Sequence, residues 1–285
     1  MIPPSCVTHE DRHRGRHPGD DHLFAAKQIP ALCAATADLS WLLTRGYADT
    51  SAIKLVGDRH ELTVRQRQAV SRCACSDAAR DNRQARRINC AELVRGESPT
   101  LAIDGLNCLI TIESALSHGI VLRGRDGALR DLASVHGTYR QVAETSFAIE
   151  VLGRHLHGPR DDAPTHPLAV TWYLDRPVAN SGRLRALLLE IAERRGWPWT
   201  CELVNNPDAI LIRHDDHPVV ATSDAWILDH CARWFDPLGS LLAPDDTRAG
   251  PAAIPASGPT LAARPGLWLL DLGSPSAPSS GIGGA

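Results

Sequence analysis

The sequence predicts an α/β fold, a parallel sheet with flanking helices that follows a small all-helical domain. Two observations predict it. From about Leu23 to Glu97 the apolar residues recur at helical spacing with little strand signal, whereas from Pro99 onward short apolar runs alternate with helical patterns, as sheets with crossovers require. The later strands also tend to end in an acid, and in an open parallel sheet the carboxyl ends of the strands border the ligand crevice.

Residues 1–22 are polar, hold His9, His13, His17 and His22 without fixed spacing, and read as a disordered tail. Leu39, Trp41, Leu42 and Leu43 mark a first helix that Arg45-Gly46 should stop. A second helix is expected from Asp49, Thr50 or Ser51 to Gly57, and a third after Thr63, which stands at capping-box spacing from Gln66. The two helices around Gly57-Asp58-Arg59-His60 resemble a helix-turn-helix, a pattern that any helical hairpin shares. Arg65, Arg67, Arg72, Arg80, Arg83, Arg86 and Arg87 add a basic face that would suit a nucleic-acid backbone, or else form a solvated face or dimer contact.

In the second part, residues 99–243, a strand at Leu101–Ile103 ends in an Asp104-Gly105 turn before the apolar segment that carries Asn107, Glu113 and Ser114. Gly119–Leu122 and Ala128–Leu132 form a hairpin around Asp126-Gly127. Val142–His157 is a helix, Leu168–Leu174 a strand closed by Asp175, and Ser181–Arg194 an amphipathic helix. Strands are expected at Thr200–Val204, Pro218–Ala221 and Trp234-Phe235, with Asp208 in the segment between the first two and a helix opened by Thr222-Ser223-Asp224. Residues 244–285, rich in Pro, Gly, Ala and Ser, read as a flexible tail in which Leu267–Leu272 is an apolar island of no assignable place.

Composition narrows the classes of function. A net charge of -3 over 285 residues gives no global field for nucleic acid or membrane, so such a partner must be met by a local patch. The 8 cysteines are scattered; Cys73-Ala74-Cys75 lacks zinc-knuckle spacing, so reduced, buried thiols of a cytoplasmic protein are expected. No signal-peptide core, membrane-length run, Gly-Lys-Ser/Thr phosphate loop or Gly-x-Ser-x-Gly elbow occurs.

The acids carry the candidate chemistry. Asp104, Asp175 and Asp224 follow strands and Asp208 begins the segment between, so a parallel sheet brings them to one edge. Carboxylates at close range repel unless protonated or neutralised, and all-oxygen sites suit Mg²⁺ or Mn²⁺. Asp229, five positions after Asp224, is a further metal candidate, and Asn107 offers an amide to orient Asp104 or bind a phosphate oxygen. His136 and Arg140 are candidates for binding substrate phosphate. Each acid also has a plain reading: Asp104 as a turn residue, Asp224 as a helix cap, Asp208 as a helix N-terminal acid, Asp175 as a turn before Pro177.

Asp104-Gly105-Leu106-Asn107, with the late Ala221-Thr222-Ser223-Asp224 and Asp229, resembles the PIN-like and NYN ribonucleases over roughly Pro99 to Leu242. That resemblance implies a PIN-like α/β domain with metal-binding carboxylates that hydrolyses RNA, with DNA as the other nucleic acid it would take. The whole chain, from about Ala34 to Leu242, resembles the domain of unknown function 434 family with its C-terminal companion. The residues that carry this are Leu43-Thr44-Arg45-Gly46-Tyr47, Leu55-Val56-Gly57-Asp58-Arg59, Ile103-Asp104-Gly105 with Asn107, Leu109–Leu116, Val135-His136-Gly137-Thr138-Tyr139-Arg140, Leu174-Asp175 with Pro177 and Ser181-Gly182, and Ala221-Thr222-Ser223-Asp224. Leu106, where a Tyr is common, and Arg176, Ala179 and Asn180 depart from that family's pattern. Two expectations follow. One is a metal-dependent nuclease; the other is a non-catalytic nucleic-acid-binding or regulatory protein with a vestigial acidic site.

Overall fold

Helix ends in the first part are set by local hydrogen bonds that the sequence encodes. The computed structural model describes residues 12–94, 99–133, 137–158, 167–213, 219–242 and 267–274. Its first elements are α1 (Asp20–Leu23), α2 (Ile29–Thr44), α3 (Asp49–Arg59), α4 (Val64–Cys73), α5 (Asp77–Arg86), β1 (Arg87–Ile88) and α6 (Cys90–Leu93). Gly46, at φ 79°, closes α2: its N–H donates to Leu43 O and that of Tyr47 to Leu42 O, the paired bonds of a Schellman stop. The Thr63 and Gln66 side chains form the expected capping box at the start of α4. By contrast α3 does not stop at Gly57. It runs on to Arg59, and the Arg67 guanidinium lies over Gly57, where a Cβ would stand 2.5 Å from it.

The chain then forms β2 (Thr100–Asp104), α7 (Gly105–Leu116), β3 (Ile120–Arg123), β4 (Leu129–Asp131), α8 (Thr145–His157), β5 (Ala169–Asp175), α9 (Ser181–Arg195), β6 (Trp199–Val204), α10 (Pro207–Leu211), β7 (Val220–Ala221), α11 (Ala225–His230), β8 (Trp234–Phe235), α12 (Pro237–Leu242) and β9 (Trp268–Asp271). Six strands make one sheet in the order β1-β8-β7-β2-β5-β6, and each pairing in it is parallel. From β2 the chain steps outward to β5 and β6, then returns to the other side of β2 as β7. The switch point therefore lies between β2 and β7, where open sheets leave a crevice beyond their carboxyl ends.

Alternation along β2 sorts its side chains onto two faces. Leu101 and Ile103 join a core with Leu109, Ile112, Leu152 and Leu184 from α7, α8 and α9, while Ala102 joins Tyr173, Val220, Leu211, Ile227 and Leu228 beneath α10 and α11. Helix α7 is buried along almost its whole length, because it lies against both the large sheet and β3 and β4 of a second, three-stranded sheet. The predicted hairpin forms β3 and β4, with Gly127 at φ 85° in its turn.

Several expectations change. There is no Asp104-Gly105 turn: the strand ends at Asp104 and the helix begins at Gly105. Gly105 serves close packing, since a Cβ would stand 2.5 Å from the Leu174 side chain and 2.9 Å from Tyr173 O. The apolar island does have a place: Trp268–Asp271 pairs in parallel with β3, so residues 267–274 are not tail. Residues 12–22 are not disordered either, because the Arg14 guanidinium reaches the buried carboxylate of Glu113 at 2.5 Å, which also accepts from Tyr139 and Thr145 hydroxyls. The helical part is joined to the rest through one core in which Leu32, Leu39, Val56 and Val70 meet Ile120, Leu122, Leu270 and Leu272. The seven cysteines among the described residues are buried and form no disulfide, and no described helix is long and apolar enough to cross a membrane.

The expected basic face is also spent internally. Arg65 pairs with Asp20, Arg67 with Asp58, Arg72 with Asp131, Arg80 with Asp81 and Arg87 with Asp236. Arg86 donates to the carbonyls of Leu228 and Cys231, and Arg83 is buried between Asp126 and Asp229.

Two outcomes check this packing. Gly105→Ala is expected to cost about 1–3 kcal/mol through overpacking against β5, read from urea denaturation. Arg83→Met, which leaves Asp126 short of one cation in a buried setting, is expected to cost about 3–5 kcal/mol by the same measurement.

Candidate functional site

The carboxyl edge of the large sheet gathers Asp104, Asp175, Asp208 and Asp224. Asp104 ends β2 on the same face as Ala102, and Asp175, two residues beyond Tyr173, shares that face from β5. Asp208 sits in the first turn of α10, and Asp224 precedes α11. Thr222 follows directly on β7 and donates its hydroxyl to Asp104 Oδ2 at 2.8 Å. Among the described residues none of the four carboxylates has an ion pair.

Their electrostatics record the convergence. Burial pushes Asp104 up to about 8; the Thr222 hydrogen bond opposes this, and Asp224, Asp208 and Asp175 add repulsion. Asp208 is raised by burial and then by Asp224 and Asp175, and burial raises Asp175. The plain readings account for only part of this. Asn206, not Asp208, caps α10 through Ala209 N–H at 3.1 Å, which leaves the Asp208 carboxylate uncommitted to the cap. Asp224 does cap its helix, accepting from Trp226 and Ile227 N–H with Oδ1, while among the described residues its Oδ2 has no bond.

Asp229 does not belong to the cluster. Both of its oxygens are held at 2.7 Å by Arg83, so it is a structural ion pair between α11 and α5 rather than a metal ligand. Asn107 does not orient Asp104 with its oxygen: Oδ1 accepts from both the N–H and the hydroxyl of Ser223 at 2.9 Å, so the side chain positions the loop that leads to Asp224. Arg140 is exposed on a loop that joins the turn after β5, where Thr138 bridges Ala179 and the Asn180 amide donates to Tyr139 O. His136 lies outside the described residues.

Sequence reasoning missed Arg130. It is buried on β4, holds Asp126 with two nitrogens at 2.9 and 2.7 Å, and donates to Ser223 O at 2.8 Å. Although burial opposes its charge, Asp126 is held well below the usual carboxylate range by Arg130 and Arg83. No short-range spacing announces a contact between residues 93 positions apart.

Hard oxygen donors without a compensating cation fit a divalent ion in kind. No three His, Cys, Asp or Glu side chains among the described residues stand close enough to hold one alone. Mg²⁺ is ordinarily held by one or two carboxylates with waters and substrate phosphates rather than by an all-protein cage, so the donor set fits that mode and not a closed site.

Fold and site together define a two-part α/β protein, with a helical region joined to a parallel sheet whose carboxyl edge is acidic. The chain belongs to the family described as Domain of unknown function (DUF5616), which matches residues 94–240; residues 31–86 match Protein of unknown function (DUF434). It is 27% identical over 194 residues to an uncharacterised protein of Methanocaldococcus jannaschii, covering 68% of this chain and 87% of the relative. No solved structure matches it.

The shift on Asp104 has a sign that can be checked. An unfolded Asp titrates near 3.9, so between that pH and about 8 the unfolded chain has lost a proton that the folded one keeps. The stability that this group contributes is fully present below the lower value and is lost as pH rises to the upper one. Wild type should therefore lose stability relative to Asp104→Asn between pH 4 and 8 in metal-free urea titrations; parallel curves would mean that Asp104 ionises normally.

Proposed function

We propose that the α/β part is a PIN-like, metal-dependent nuclease that hydrolyses RNA phosphodiesters at the Asp104–Asp224 edge. The observation that carries this is the convergence of four carboxylates, without an ion-pair partner among the described residues, at the switch point of a parallel sheet. The resemblance of Asp104-Gly105-Leu106-Asn107 and Thr222-Ser223-Asp224 to PIN-like and NYN ribonucleases supports it. Family membership adds no activity of its own, and fold analogy alone does not establish one.

In this reading Asp104 and Asp224 hold Mg²⁺ or Mn²⁺, with Asp208 and Asp175 on the same edge receiving a second ion or its waters. The bound cation supplies the Lewis acidity that activates water and steadies the leaving oxygen. Thr222 fixes the Asp104 carboxylate, and Asn107 with Arg130 fixes the loop before Asp224. Arg140 and Arg176, both exposed on adjoining loops of this edge, supply positive charge for the flanking phosphates. Because Asp104 keeps its proton to about 8, ion binding releases that proton and strengthens as pH rises.

Purified protein is expected to cleave single-stranded RNA with Mn²⁺ or Mg²⁺ and to stop with a chelator. Asp104→Asn should reduce cleavage to background with an unchanged circular dichroism spectrum. Cleavage by Asp104→Asn at the wild-type rate would remove the site, and RNA binding without metal-dependent turnover would favour a binding protein instead.

A further inference from the structure

We infer that Trp226 is a stacking platform for one unpaired nucleobase beside the acidic edge, so that the site takes single-stranded rather than duplex nucleic acid; the inference rests on the nuclease reading and deepens it. Trp226 is 46% exposed, whereas Trp172 and Trp234 of the neighbouring strands are fully buried. Among the described residues five large apolar side chains are exposed. Trp41, Tyr47, Leu55 and Val64 belong to the helical region, and Trp226 is the one in the α/β part.

Its place and its rigidity give the exposure meaning. The backbone N–H of Trp226 donates to Asp224 Oδ1 at 2.9 Å, so the indole is attached two residues from a candidate metal ligand. His230 lies one turn along the same helix, its ring centroid 4.7 Å from that of Trp226 and tilted by 33°, with Nδ1 2.7 Å from Trp226 O. Even with that imidazole against it, nearly half of the residue stays open. Helix α11 cannot easily tilt, because Arg83 grips Asp229 and Arg86 grips the carbonyls of Leu228 and Cys231. An exposed aromatic ring on a helix so anchored is available for stacking, a contact open to every base because each has a π face. A base within a duplex presents its faces to neighbouring bases and cannot use such a platform without leaving the stack.

The test uses the full chain and a short single-stranded RNA in metal-free buffer with a chelator, where the proposed cleavage cannot proceed. Wild type should bind with quenched tryptophan fluorescence, and a duplex of the same sequence should bind at least about 10-fold more weakly. Trp226→Ala should weaken single-strand binding by about 10-fold or more and lose the quench, while Trp226→Phe retains part of both. Absence of binding by wild type, equal binding by Trp226→Ala with an unchanged melting temperature, or equal affinity for duplex would each overturn the platform. Cleavage of the same strand with Mn²⁺ or Mg²⁺ is measured separately. Cleavage that is indifferent to Trp226→Ala removes the platform and leaves the nuclease, whereas Trp226-dependent binding without cleavage under any metal removes the nuclease and leaves the platform.

Discussion

A buried chain of charges holds this molecule in register. Asp229 of α11 meets Arg83 of α5, Arg83 meets Asp126 in the β3–β4 hairpin, Asp126 meets Arg130, and Arg130 reaches Ser223 O just before Asp224. Each guanidinium has partners on more than one side, which is the condition under which a buried charge is tolerable. The consequence is geometric. The loop and helix that carry Asp224 are held by the hairpin through Arg130 and by the helical region through Arg83.

Two groups of acids among the described residues stand apart on this basis. Asp20, Asp126, Asp131, Asp229 and Asp236 each face an arginine, and Glu113 faces Arg14 with two hydroxyls; these are structural charges. Asp104, Asp175, Asp208 and Asp224 face one another instead, with Thr222 the hydroxyl donor to Asp104. Among the buried acids of the described residues, Asp104 is the one without an arginine partner. Uncompensated carboxylates lower stability near neutral pH, and such a cost is characteristic of positions where binding or chemistry requires it.

The sequence made much of this legible because strand ends and helix caps are local events. Thr63 and Gln66, Gly46, the Asp126-Gly127 turn and the strand at Ala169–Asp175 all form as their neighbours dictate, and the acids at strand ends converge because parallel pairing leaves them no other edge. What could not be read was settled by residues far apart. Asp229 looked like a partner of Asp224 at a spacing of five, yet its partner is Arg83, 146 positions away. Arg72, Arg83 and Arg87 looked like a surface because their partners Asp131, Asp229 and Asp236 lie far along the chain, and β9 has no meaning until β3 is beside it. Gly105 looked like a turn residue, whereas its role is to let α7 start against β5.

The helical region therefore has a role even if it touches no ligand. It contributes β1 to the edge of the large sheet, packs the three-stranded sheet against its own core, and supplies the two arginines that clamp α11. An α/β part cut at the linker before β2 would lose Arg83 and Arg86 together, leaving Asp126 with one cation and α11 with two unsupported carbonyls. The two matched segments, residues 31–86 and 94–240, are thus coupled through the helix that Asp224 caps and that carries Trp226. The first segment thus braces the helix that follows Asp224 in the second, through Arg83 and Arg86.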